Sequence, residues 1–418
     1  MSTQASLPSG AAAFLDQSGL MTVFDLIEAA GGEIRVNGGA VRNALMGEPV
    51  ADVDLSTTLL PDHVTEALQR GGVKVVPTGV AHGTVTAVSD GKAYEITTLR
   101  EDIETDGRRA IVRFGHDWTA DAQRRDFTMN AIYCDRHGAI FDPLGGYDDL
   151  VARRVRFIGD PVQRIMEDRL RILRFFRFFA WYGLGRPDAD ALKACAALKD
   201  GLNELSAERV WQELKRILAA PDIVKAVLWM RTTGVFDQAL PESAKWGVDL
   251  IPRLNTCERQ LGWSPDSLLR LMAVIPPRPD VAATIAARLK LSNAEAERLG
   301  AWARASLPRS RAAEPELARE LYRGDCGAFL DRLRLERARV QDDDSARNEA
   351  RRLERTIDYV EQWERPQLPL KGKDLVAAGM RPGPEMGRAM QALEQAWIES
   401  GFMLTRDQLL ARAPTAGQ

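Results

Sequence analysis

Residues 34–56 read IRVNGGAVRNALMGEPVADVDLS, and their pattern decides how the whole chain is interpreted. The apolar alternation at Ile34–Val36 predicts a short strand, and the glycine pair that follows predicts a turn into a helix ending near Gly47. Gly38 and Gly39 would present backbone N–H groups at the N-terminus of that helix. Because the N-terminus of a helix attracts anions, this turn is a candidate seat for a phosphate group.

Two aspartates follow this helix, where the chain is expected to become extended again after Pro49. In a strand, alternate side chains share a face, so Asp52 and Asp54 project together while Val53 points to the opposite side. Two carboxylates held side by side repel each other unless cations lie between them. The arrangement suits a pair of Mg²⁺ ions roughly 3.5–4 Å apart, which in-line phosphoryl displacement requires. The phosphate seat and the carboxylates together indicate nucleotidyl transfer.

Each of these two features also has a simpler structural interpretation. A glycine pair before a helix is common, and Asp-x-Asp pairs occur on solvated strand edges and in loops. Taken singly, either feature is more often structural than catalytic. Their combination is more specific, because the two are spaced for one site and later segments extend the pattern.

Length and composition describe an ordinary globular protein. The 418 residues suggest about three domains, and contents of 45% hydrophobic and 28% charged residues are typical. The formal net charge of −3 means that any nucleic-acid binding must come from local basic faces. No run of residues is long enough to span a bilayer and the N-terminus lacks the pattern of a signal peptide, so a cytoplasmic protein is expected.

Cysteines and histidines exclude other classes of site. Cys134, Cys195, Cys257 and Cys326 form no CxxC pair, so they predict buried free thiols in a reducing compartment rather than a zinc site or a disulfide framework. All four histidines lie in roughly the first third of the chain, so the remainder cannot hold a phosphohydrolase domain built on His and Asp clusters. The sequence contains no P-loop and no dinucleotide-binding GxGxxG motif.

Residues 34 to about 150 alternate strands and helices, which predicts a compact α/β unit. In the strand predicted at Ala93–Leu99, Glu95 lies between apolar neighbours. If this strand lies beside the aspartate strand, Glu95 can supply a third carboxylate to the metal pair. An outward-facing glutamate on an edge strand explains the residue equally well.

Two polar segments follow that strand. Glu101–His116 is charged and punctuated by glycine, which predicts a mobile loop. In the next segment, Arg124, Arg125 and Asp126 can bridge triphosphate oxygens and a ribose hydroxyl, because arginine binds phosphate in a bidentate manner. A surface cluster of ion pairs is the alternative interpretation of these three residues.

From residue 151 the chain becomes rich in arginine, and one helix is predicted from about Pro161 to Tyr182. Its aromatic residues recur at helical spacing, which favours a core over a platform for stacking bases. On another face, Asp168 and Arg171 lie three residues apart, and the simplest interpretation is an intrahelical ion pair.

The same two residues also offer a chemical rationale for base selection. An aspartate accepts a hydrogen bond from an exocyclic amine, and an arginine donates one to a ring nitrogen. Cytosine and adenine both present an amine beside a ring acceptor, whereas uracil and guanine present the reverse. Such a site would accept CTP and ATP and reject UTP and GTP, since the wrong bases would leave buried polar groups unpaired.

The remainder of the chain, residues 186–360, is predicted to be mainly helical. Arg304–Arg355 is rich in arginine but interleaved with acids, which favours a solvated helical face over contact with an RNA backbone. Pro366–Pro384 punctuates the start of a C-terminal unit.

The order of these motifs resembles that of the bacterial-type (class II) tRNA nucleotidyltransferases and poly(A) polymerases. The resemblance is close over roughly residues 30–220, and it implies an α+β fold with a polymerase-β-like head (mixed sheet with helices) at 1–150. An all-α neck at 151–220, body at 221–365 and tail at 366–418 would follow. It rests on GGAVR (38–42), DVD (52–54), EITTLR (95–100), RRDFTMNAI (124–132), FDPLGGYDDL (141–150), EDRLRILR (167–174), SAERVWQEL (206–214) and GKDLVAAGMRPGPEMG (372–387).

The resemblance also implies roles for single residues. Asp52 and Asp54 would hold the metals, with Glu95 as the third acid. The family usually has Asp where this chain has Asn43, which removes a charge next to Arg42. The nucleotide-binding residues would be Gly38, Gly39 and Arg42 at the triphosphate, Arg124, Arg125 and Asp126 at the phosphates or ribose, Asp168 and Arg171 as a template for the base with Arg209 assisting, and Asn130 and Arg174.

The expected function is template-independent addition of CCA to the 3′ end of tRNA from CTP and ATP, with Mg²⁺ as cofactor and release of pyrophosphate. The expected partners are the acceptor stem and 3′ end of tRNA, and neither a membrane nor an obligate protein partner is indicated. A poly(A) polymerase, or an enzyme that adds only CC or only A, is the alternative. Poly(A) polymerases of this family tend to be strongly basic, which a net charge of −3 does not match. A non-catalytic RNA-binding scaffold is a third interpretation, opposed by the presence of both aspartates.

Overall fold

The structure, a computed structural model, describes residues 6–8, 10–79, 83–106, 109–244, 246–307 and 314–413. Contacts divide the chain into two compact units, Met1–Pro241 and Glu242–Gln418. Every strand of the described residues lies in the first unit, and the described part of the second is helical. The predicted boundaries at residues 220 and 365 stay predictions.

The described residues of the first unit form nine strands: β1 (Ile34–Asn37), β2 (Asp54–Thr57), β3 (Lys74–Gly79), β4 (Thr84–Ser89), β5 (Lys92–Thr98), β6 (Arg100–Asp106), β7 (Arg109–Phe114), β8 (Tyr133–Cys134) and β9 (Ile140–Phe141). Seven of them form one mixed sheet in the order β3-β4-β5-β2-β1-β8-β9, in which only β2 and β5 are parallel neighbours. Asn37 at the end of β1 pairs with Asp54 at the start of β2. The glycine turn and the aspartates therefore lie at the same end of the sheet.

Helices cover this sheet and continue beyond it. In the first unit they are α1 (Ser18–Ala29), α2 (Gly39–Met46), α3 (Pro61–Arg70), α4 (Trp118–Gln123), α5 (Gly146–Val151), α6 (Pro161–Glu167), α7 (Arg171–Tyr182), α8 (Ala189–Leu198), α9 (Ala207–Leu218), α10 (Val224–Thr232) and α11 (Val235–Ala239). Helix α1 packs on the sheet and on α3 through fully buried residues such as Leu20, Phe24 and Ile27. Short 3₁₀ helices lie at Ala13–Asp16, Thr128–Asn130, Lys199–Glu204, Pro241–Ser243 and Asp344–Ala346.

The predicted mobile loop at Glu101–His116 is wrong. Most of it is strand: β6 and β7 pair as a separate antiparallel ribbon, with Arg100 opposite Phe114 and Asp106 opposite Arg109. A two-stranded ribbon outside the main sheet is held by its own backbone hydrogen bonds, so it does not need the apolar alternation by which a buried strand is recognised.

The single helix predicted from Pro161 to Tyr182 is also wrong, because the chain forms α6 and α7 with a break at Asp168. Asp168 is extended (φ −151°, ψ 108°), and its side chain accepts a hydrogen bond from the N–H of Leu170 at 3.1 Å. Aspartate competes with helical hydrogen bonds in this way. The prediction of an aromatic core in this segment is confirmed. Phe175, Phe176 and Phe179 are buried, and the ring of Phe175 stacks on that of Phe157 with the ring centroids 5.7 Å apart.

The second unit contains α12 (Leu250–Leu261), α13 (Ser267–Ala273), α14 (Pro279–Arg288), α15 (Asn293–Arg304), α16 (Glu314–Arg323), α17 (Cys326–Arg339), α18 (Arg347–Gln362), α19 (Gly372–Ala377), α20 (Pro384–Glu399) and α21 (Arg406–Leu410). Leu321, Leu333 and Leu353 belong to one apolar cluster, which joins α16, α17 and α18. Leu375 and Trp397 belong to another, formed near the C-terminus. No helix within the described residues is long and apolar enough to cross a membrane.

The four cysteines are free thiols, as predicted. Cys134, Cys195 and Cys257 are buried, and burial raises the pKa of Cys134 to about 12 and that of Cys257 to about 11. Cys326 is only partly buried, because it begins helix α17 at the rim of the apolar cluster rather than inside it.

Candidate active site

The glycine turn forms as predicted between β1 and α2. Gly38 has φ +61° and ψ −116°, a conformation that side-chain-bearing residues rarely adopt, and its N–H donates to the carbonyl of Ile132 at 3.2 Å. Gly39 is the first residue of α2, and Gly47 follows its last turn in the left-handed conformation. The positive φ at Gly38 is what allows the chain to turn from a central strand directly into a helix.

The acidic residues meet across two parallel strands. Asp54 begins β2, and its register partner on β5 is Glu95, so β5 does lie beside the aspartate strand. Asp52 precedes β2 instead of lying in it, which corrects the predicted start of the strand. The expected alternation is nevertheless kept, because Val53 is 5% exposed while both aspartates are exposed.

These three carboxylates influence one another. The pKa of Asp54 is raised, first by partial desolvation and then by the negative charges of Glu95 and Asp52, while Arg125 acts in the opposite direction. Among the described residues, no group of three His, Cys, Asp or Glu side chains is already arranged to hold a metal ion. The donor set still fits Mg²⁺, because that ion prefers carboxylate oxygens and would relieve the repulsion between them.

Arg42 lies behind the glycine turn, on α2. Its guanidinium donates to Asn43 Oδ1 at 2.9 and 3.2 Å, to Asn130 Oδ1 at 2.6 Å and to the Tyr182 hydroxyl at 2.8 Å. It also lies over the rings of Tyr182 and Phe178, 4.1 and 5.3 Å from their centroids. Burial lowers the pKa of Arg42, opposed in part by Tyr182 and Asp126.

Asp126 is the centre of a chain of hydrogen bonds that continues to Arg42. Its Oδ2 accepts from Arg174 Nε at 3.0 Å and from Arg174 Nη2, and its Oδ1 accepts from Asn130 Nδ2 at 3.0 Å. Burial would raise the pKa of Asp126, but the Arg174 guanidinium, the Asn130 amide and a backbone N–H together hold it below its ordinary value. These contacts favour the ionised form of Asp126, which fixes Arg174 and Asn130 in place.

Arg124 and Arg125 share one buried acid, Asp121, but they occupy different positions. Arg125 donates to Asp121 Oδ2 at 3.0 Å, to Asn37 Oδ1 at 3.0 Å and to the Tyr133 hydroxyl at 3.1 Å. Arg124 is bound to Asp121 Oδ1 at 2.7 and 2.8 Å. The alternative interpretation of Arg124, Arg125 and Asp126 as a surface cluster of ion pairs is wrong, because Asp126 is buried and so is Asp121, the acid that both arginines contact.

Asp168 and Arg171 are not an intrahelical ion pair. Asp168 Oδ2 accepts instead from Arg209 Nη2 at 2.8 Å, across from helix α9. Arg171 is the first residue of α7 and pairs with Glu167 at 2.5 Å. The break between α6 and α7 is what separates the two side chains.

One cavity of about 420 Å³ brings most of these residues together. It is lined by Asn37, Gly38, Gly39, Arg42, Asp54, Arg125, Asp126, Asn130, Asp168, Leu170, Arg171, Arg174, Phe178 and Arg209. Of the residues proposed from sequence, Asp52, Glu95 and Arg124 do not line it. Asp52 and Glu95 lie beside Asp54 at the edge of the cavity, and Arg124 contacts Asp121 behind the cavity.

Sequence reasoning missed several residues that build this cavity. Asn37 directly precedes the glycine pair, so its position could have suggested it. Asp121 and Tyr133, which hold Arg125, carry no comparable local signal. Phe178 and Tyr182 lie in the helix assigned to the core, and only the packing of α7 against α2 shows that they contact Arg42.

Two protein families match parts of the chain. The family described as poly A polymerase head domain matches residues 34–156, and the one described as probable RNA and SrmB-binding site of polymerase A matches residues 186–246. The mitochondrial CCA tRNA nucleotidyltransferase 1 of Mus musculus is 34% identical over 408 residues, which are 94% of this chain and 89% of the relative. The CCA-adding enzyme of Geobacillus thermodenitrificans is 39% identical over 213 residues, 50% of this chain and 52% of the relative.

A solved structure has the same fold. The CCA-adding enzyme of Bacillus stearothermophilus in complex with CTP superimposes with a TM-score of 0.72 at 27% identity, covering 91% of this chain and 92% of that one. Together with the mixed sheet and the cavity beside it, this similarity defines the chain as a nucleotidyltransferase with a polymerase-β-like head. The chain belongs to the family of CCA-adding tRNA nucleotidyltransferases and poly(A) polymerases.

Proposed function

We propose that the chain adds CCA to the 3′ end of tRNA, using CTP and ATP without a nucleic-acid template. The observation that carries the proposal is the cavity, which is lined by groups suited to each part of the reaction. Asp168 and Arg171 suit a base, Arg42 suits phosphates and Asp54 suits catalysis. Relatives named CCA tRNA nucleotidyltransferase and CCA-adding enzyme support it.

The carboxylates of Asp52, Asp54 and Glu95 would hold Mg²⁺. When bound there, Mg²⁺ supplies charge stabilisation for the attacking and leaving oxygens. In the reaction, the 3′-hydroxyl of the RNA loses its proton to water and its oxygen bonds to the α-phosphorus, as the bond from that phosphorus to the bridging oxygen breaks and pyrophosphate leaves. The three acids would be catalytic residues, and their ionised form is the one required.

The triphosphate would lie along the glycine turn. Gly38 and Gly39 offer the N-terminus of α2, and Arg42 and Arg125 line the same cavity. Arg124 would be a positioning residue that acts through Asp121, because Asp121 contacts both Arg124 and Arg125. Their positions support phosphate binding at this end of the cavity.

The base would face Asp168 and Arg171 at the other side of the cavity, with Arg209 holding Asp168. Each carboxylate oxygen can accept two hydrogen bonds, so Asp168 can accept from an exocyclic amine while it keeps its bond to Arg209. The chain of contacts from Arg174 through Asp126 and Asn130 would hold the base end and the phosphate end in a fixed relation.

The wider organisation is part of the proposal. Residues 1–150 would be the catalytic head, 151–220 the neck carrying the base template, 221–365 the body and 366–418 the tail in contact with tRNA. The match of residues 186–246 to a polymerase RNA-binding segment supports RNA contact beyond the head. The expected cytoplasmic location stays a prediction, and the relative from Mus musculus is named as mitochondrial.

The decisive test is primer extension with purified full-length chain, Mg²⁺ and tRNA transcripts that lack CCA, or end after C or after CC. Each nucleoside triphosphate is supplied singly and then all together. Addition that stops after C, C and A is the expected result. Unlimited addition of A would identify a poly(A) polymerase, addition of only CC or only A a partial enzyme, and no incorporation by folded chain would refute the assignment.

Replacing Asp168 with alanine tests the base template. The variant Asp168→Ala should lower the ratio of kcat/KM for CTP over UTP about 10- to 100-fold, because the pairing partner of the exocyclic amine is lost. Single-nucleotide incorporation measures this ratio. Asp200→Ala, an exposed aspartate that does not line the cavity, is the control and should leave the ratio unchanged. Unaltered discrimination in Asp168→Ala would contradict the template role.

A further inference from the structure

Arginines dominate the cavity, and most of them are already paired with an acid. Arg125 contacts Asp121 at 3.0 Å, Arg171 contacts Glu167 at 2.5 Å and Arg209 contacts Asp168 at 2.8 Å. Arg174 is likewise bound to Asp126. Each of these guanidinium groups therefore contacts a carboxylate within the protein, although Arg125 shares Asp121 with Arg124 and Arg171 shares Glu167 with Arg164.

Arg42 differs from the other arginines of the cavity. Its partners are the amide oxygens of Asn43 and Asn130 and the hydroxyl of Tyr182, all of them neutral acceptors. None of the described carboxylates forms an ion pair with it. Arg42 is nevertheless 7% exposed, so its positive charge is buried without a direct counterion.

A buried charge without a counterion is costly, and a ligand anion that reaches it recovers part of that cost. Arg42 lines the cavity together with Gly38 and Gly39. A methyl group built on Gly39 would lie 3.7 Å from Arg42 Nη2, so the guanidinium lies directly against the glycine turn. The unbalanced charge is therefore in reach of an anion seated at that turn.

Asn43 is the neighbour that determines this balance. Its Oδ1 accepts from two guanidinium nitrogens of Arg42, and its Nδ2 donates to the carbonyl of Pro49 at 3.0 Å. An aspartate of the same shape would accept from the same two nitrogens and would neutralise them. It would also lose the donor that fixes the amide against the turn leading to Asp52.

We propose that Asn43 sets the affinity of the site for the triphosphate by leaving the charge of Arg42 unbalanced. This inference rests on the proposed function, in which the triphosphate lies along the glycine turn. Asn43 is a positioning residue here: it acts through Arg42 and touches no reacting atom.

The test measures binding of tripolyphosphate, and separately of CTP, to the full-length chain by isothermal titration calorimetry in the presence of EDTA. The readout then depends neither on Mg²⁺ nor on turnover. Asn43→Asp should weaken tripolyphosphate binding about tenfold, since an ion pair now competes with the ligand for Arg42. Asn203→Asp adds the same charge at an exposed position that does not line the cavity, and it should leave binding unchanged.

The variant Asn43→Ala distinguishes the effect of an added negative charge from the loss of the hydrogen bond that anchors the side chain to Pro49. It removes all three hydrogen bonds of the side chain and adds no charge, so tripolyphosphate affinity should stay within about twofold of the unmodified chain. Equal losses in Asn43→Ala and Asn43→Asp would show that only the contact with Pro49 matters, and would overturn the inference. In steady-state addition to tRNA, Asn43→Asp should raise KM for both CTP and ATP and leave kcat unchanged.

Failure of this inference and failure of the proposed function give different results. If the chain adds CCA but Asn43→Asp binds tripolyphosphate as tightly as the unmodified chain, the inference is wrong and the function stands. If tripolyphosphate binding weakens as expected in a chain that adds no nucleotide to tRNA, the anion site stands and the proposed function falls.

Discussion

At the scale of the residue, Asp54 lowers the stability of the fold in its ionised form. Its pKa is raised by partial desolvation and by Glu95 and Asp52, so the folded state holds the proton more tightly than the unfolded chain does. The folded state consequently gains stability as pH falls through the raised pKa, and that gain is absent at neutral pH. The repulsion of Asp54 by its two acidic neighbours therefore acts against the folded state at neutral pH.

Asp54→Asn should therefore stabilise the metal-free chain while it abolishes nucleotidyl transfer. We expect the melting temperature at pH 7 to rise by about 1–3 °C, a small change because the carboxylate is exposed and screened by solvent. The gain should shrink at pH values where Asp54 is protonated. Differential scanning calorimetry in EDTA at pH 7 and pH 4 measures both effects, with Asp16→Asn, another exposed aspartate, as the control. A lower melting temperature for Asp54→Asn at pH 7 would contradict this account.

At the scale of the element, helices α7 and α9 are joined at the end of the cavity that contains Asp168 and Arg209. Arg177 on α7 donates to Glu213 on α9 at 2.6 Å, and the Glu213 side chain is 4% exposed. Helix α9 also carries Arg209, the partner of Asp168. The buried ion pair therefore fixes the position of a residue that lines the cavity.

Glu213→Ala should destabilise the first unit by about 3 kcal/mol, because it leaves the half-buried Arg177 guanidinium without its acid. It should also raise KM for CTP and ATP more than it lowers kcat, since Arg209 loses its fixed position. Urea unfolding followed by circular dichroism measures the stability. Gln212→Ala, an exposed residue on the same helix, is the matched control, and an equal effect in both variants would argue against a specific role of the ion pair.

Local signals made part of this architecture predictable from sequence. The strand, glycine turn and helix at residues 34–46 are determined by residues that are close together in the sequence. The turn requires a positive φ, which glycine adopts readily. The alternation of Asp52, Val53 and Asp54 was likewise correct. The pairing of Asp54 with Glu95 stayed an alternative, because a parallel pair is made by strands far apart in the sequence.

The errors have physical causes at the same scale. Asp168 breaks a helix that its apolar neighbours would otherwise continue, because its side chain binds the backbone N–H of Leu170. The charge of Glu101–His116 predicts a loop, whereas backbone pairing between β6 and β7 decides the structure of this segment. Neither Tyr182 nor Phe178 could be assigned to Arg42 without knowing how α7 packs.

At the scale of the whole molecule, the net charge of −3 leaves RNA binding to local surfaces. Arg351 and Arg355 are exposed one turn apart on α18 and line a surface cavity, which is also lined by Asn348, Arg352, Glu354 and Asp358. Two positive side chains at this spacing lie on one face of the helix, in reach of consecutive phosphates.

Replacing Arg351 and Arg355 together with alanine should weaken tRNA binding, and the slope of log Kd against log salt should fall by about 1–2. Fluorescence anisotropy at several salt concentrations measures both quantities. The double variant of Arg70 and Arg278 removes the same formal charge from exposed arginines that are paired with acids, so it is the matched control. Equal losses in both double variants would attribute binding to bulk charge instead of to this face.

The strand order of the sheet has a consequence for synthesis on the ribosome. Strand β1 is the first to be made and lies near the centre of the sheet, yet one of its two neighbours, β8, begins only at Tyr133. At a translation rate of about 5–20 residues per second, the 95 residues between Asn37 and Tyr133 take about 5–20 s. During that interval one edge of β1 has no strand to pair with, and an unpaired edge is open to association with other chains. The nascent head is thus exposed to aggregation through this edge until the hairpin of β8 and β9 emerges.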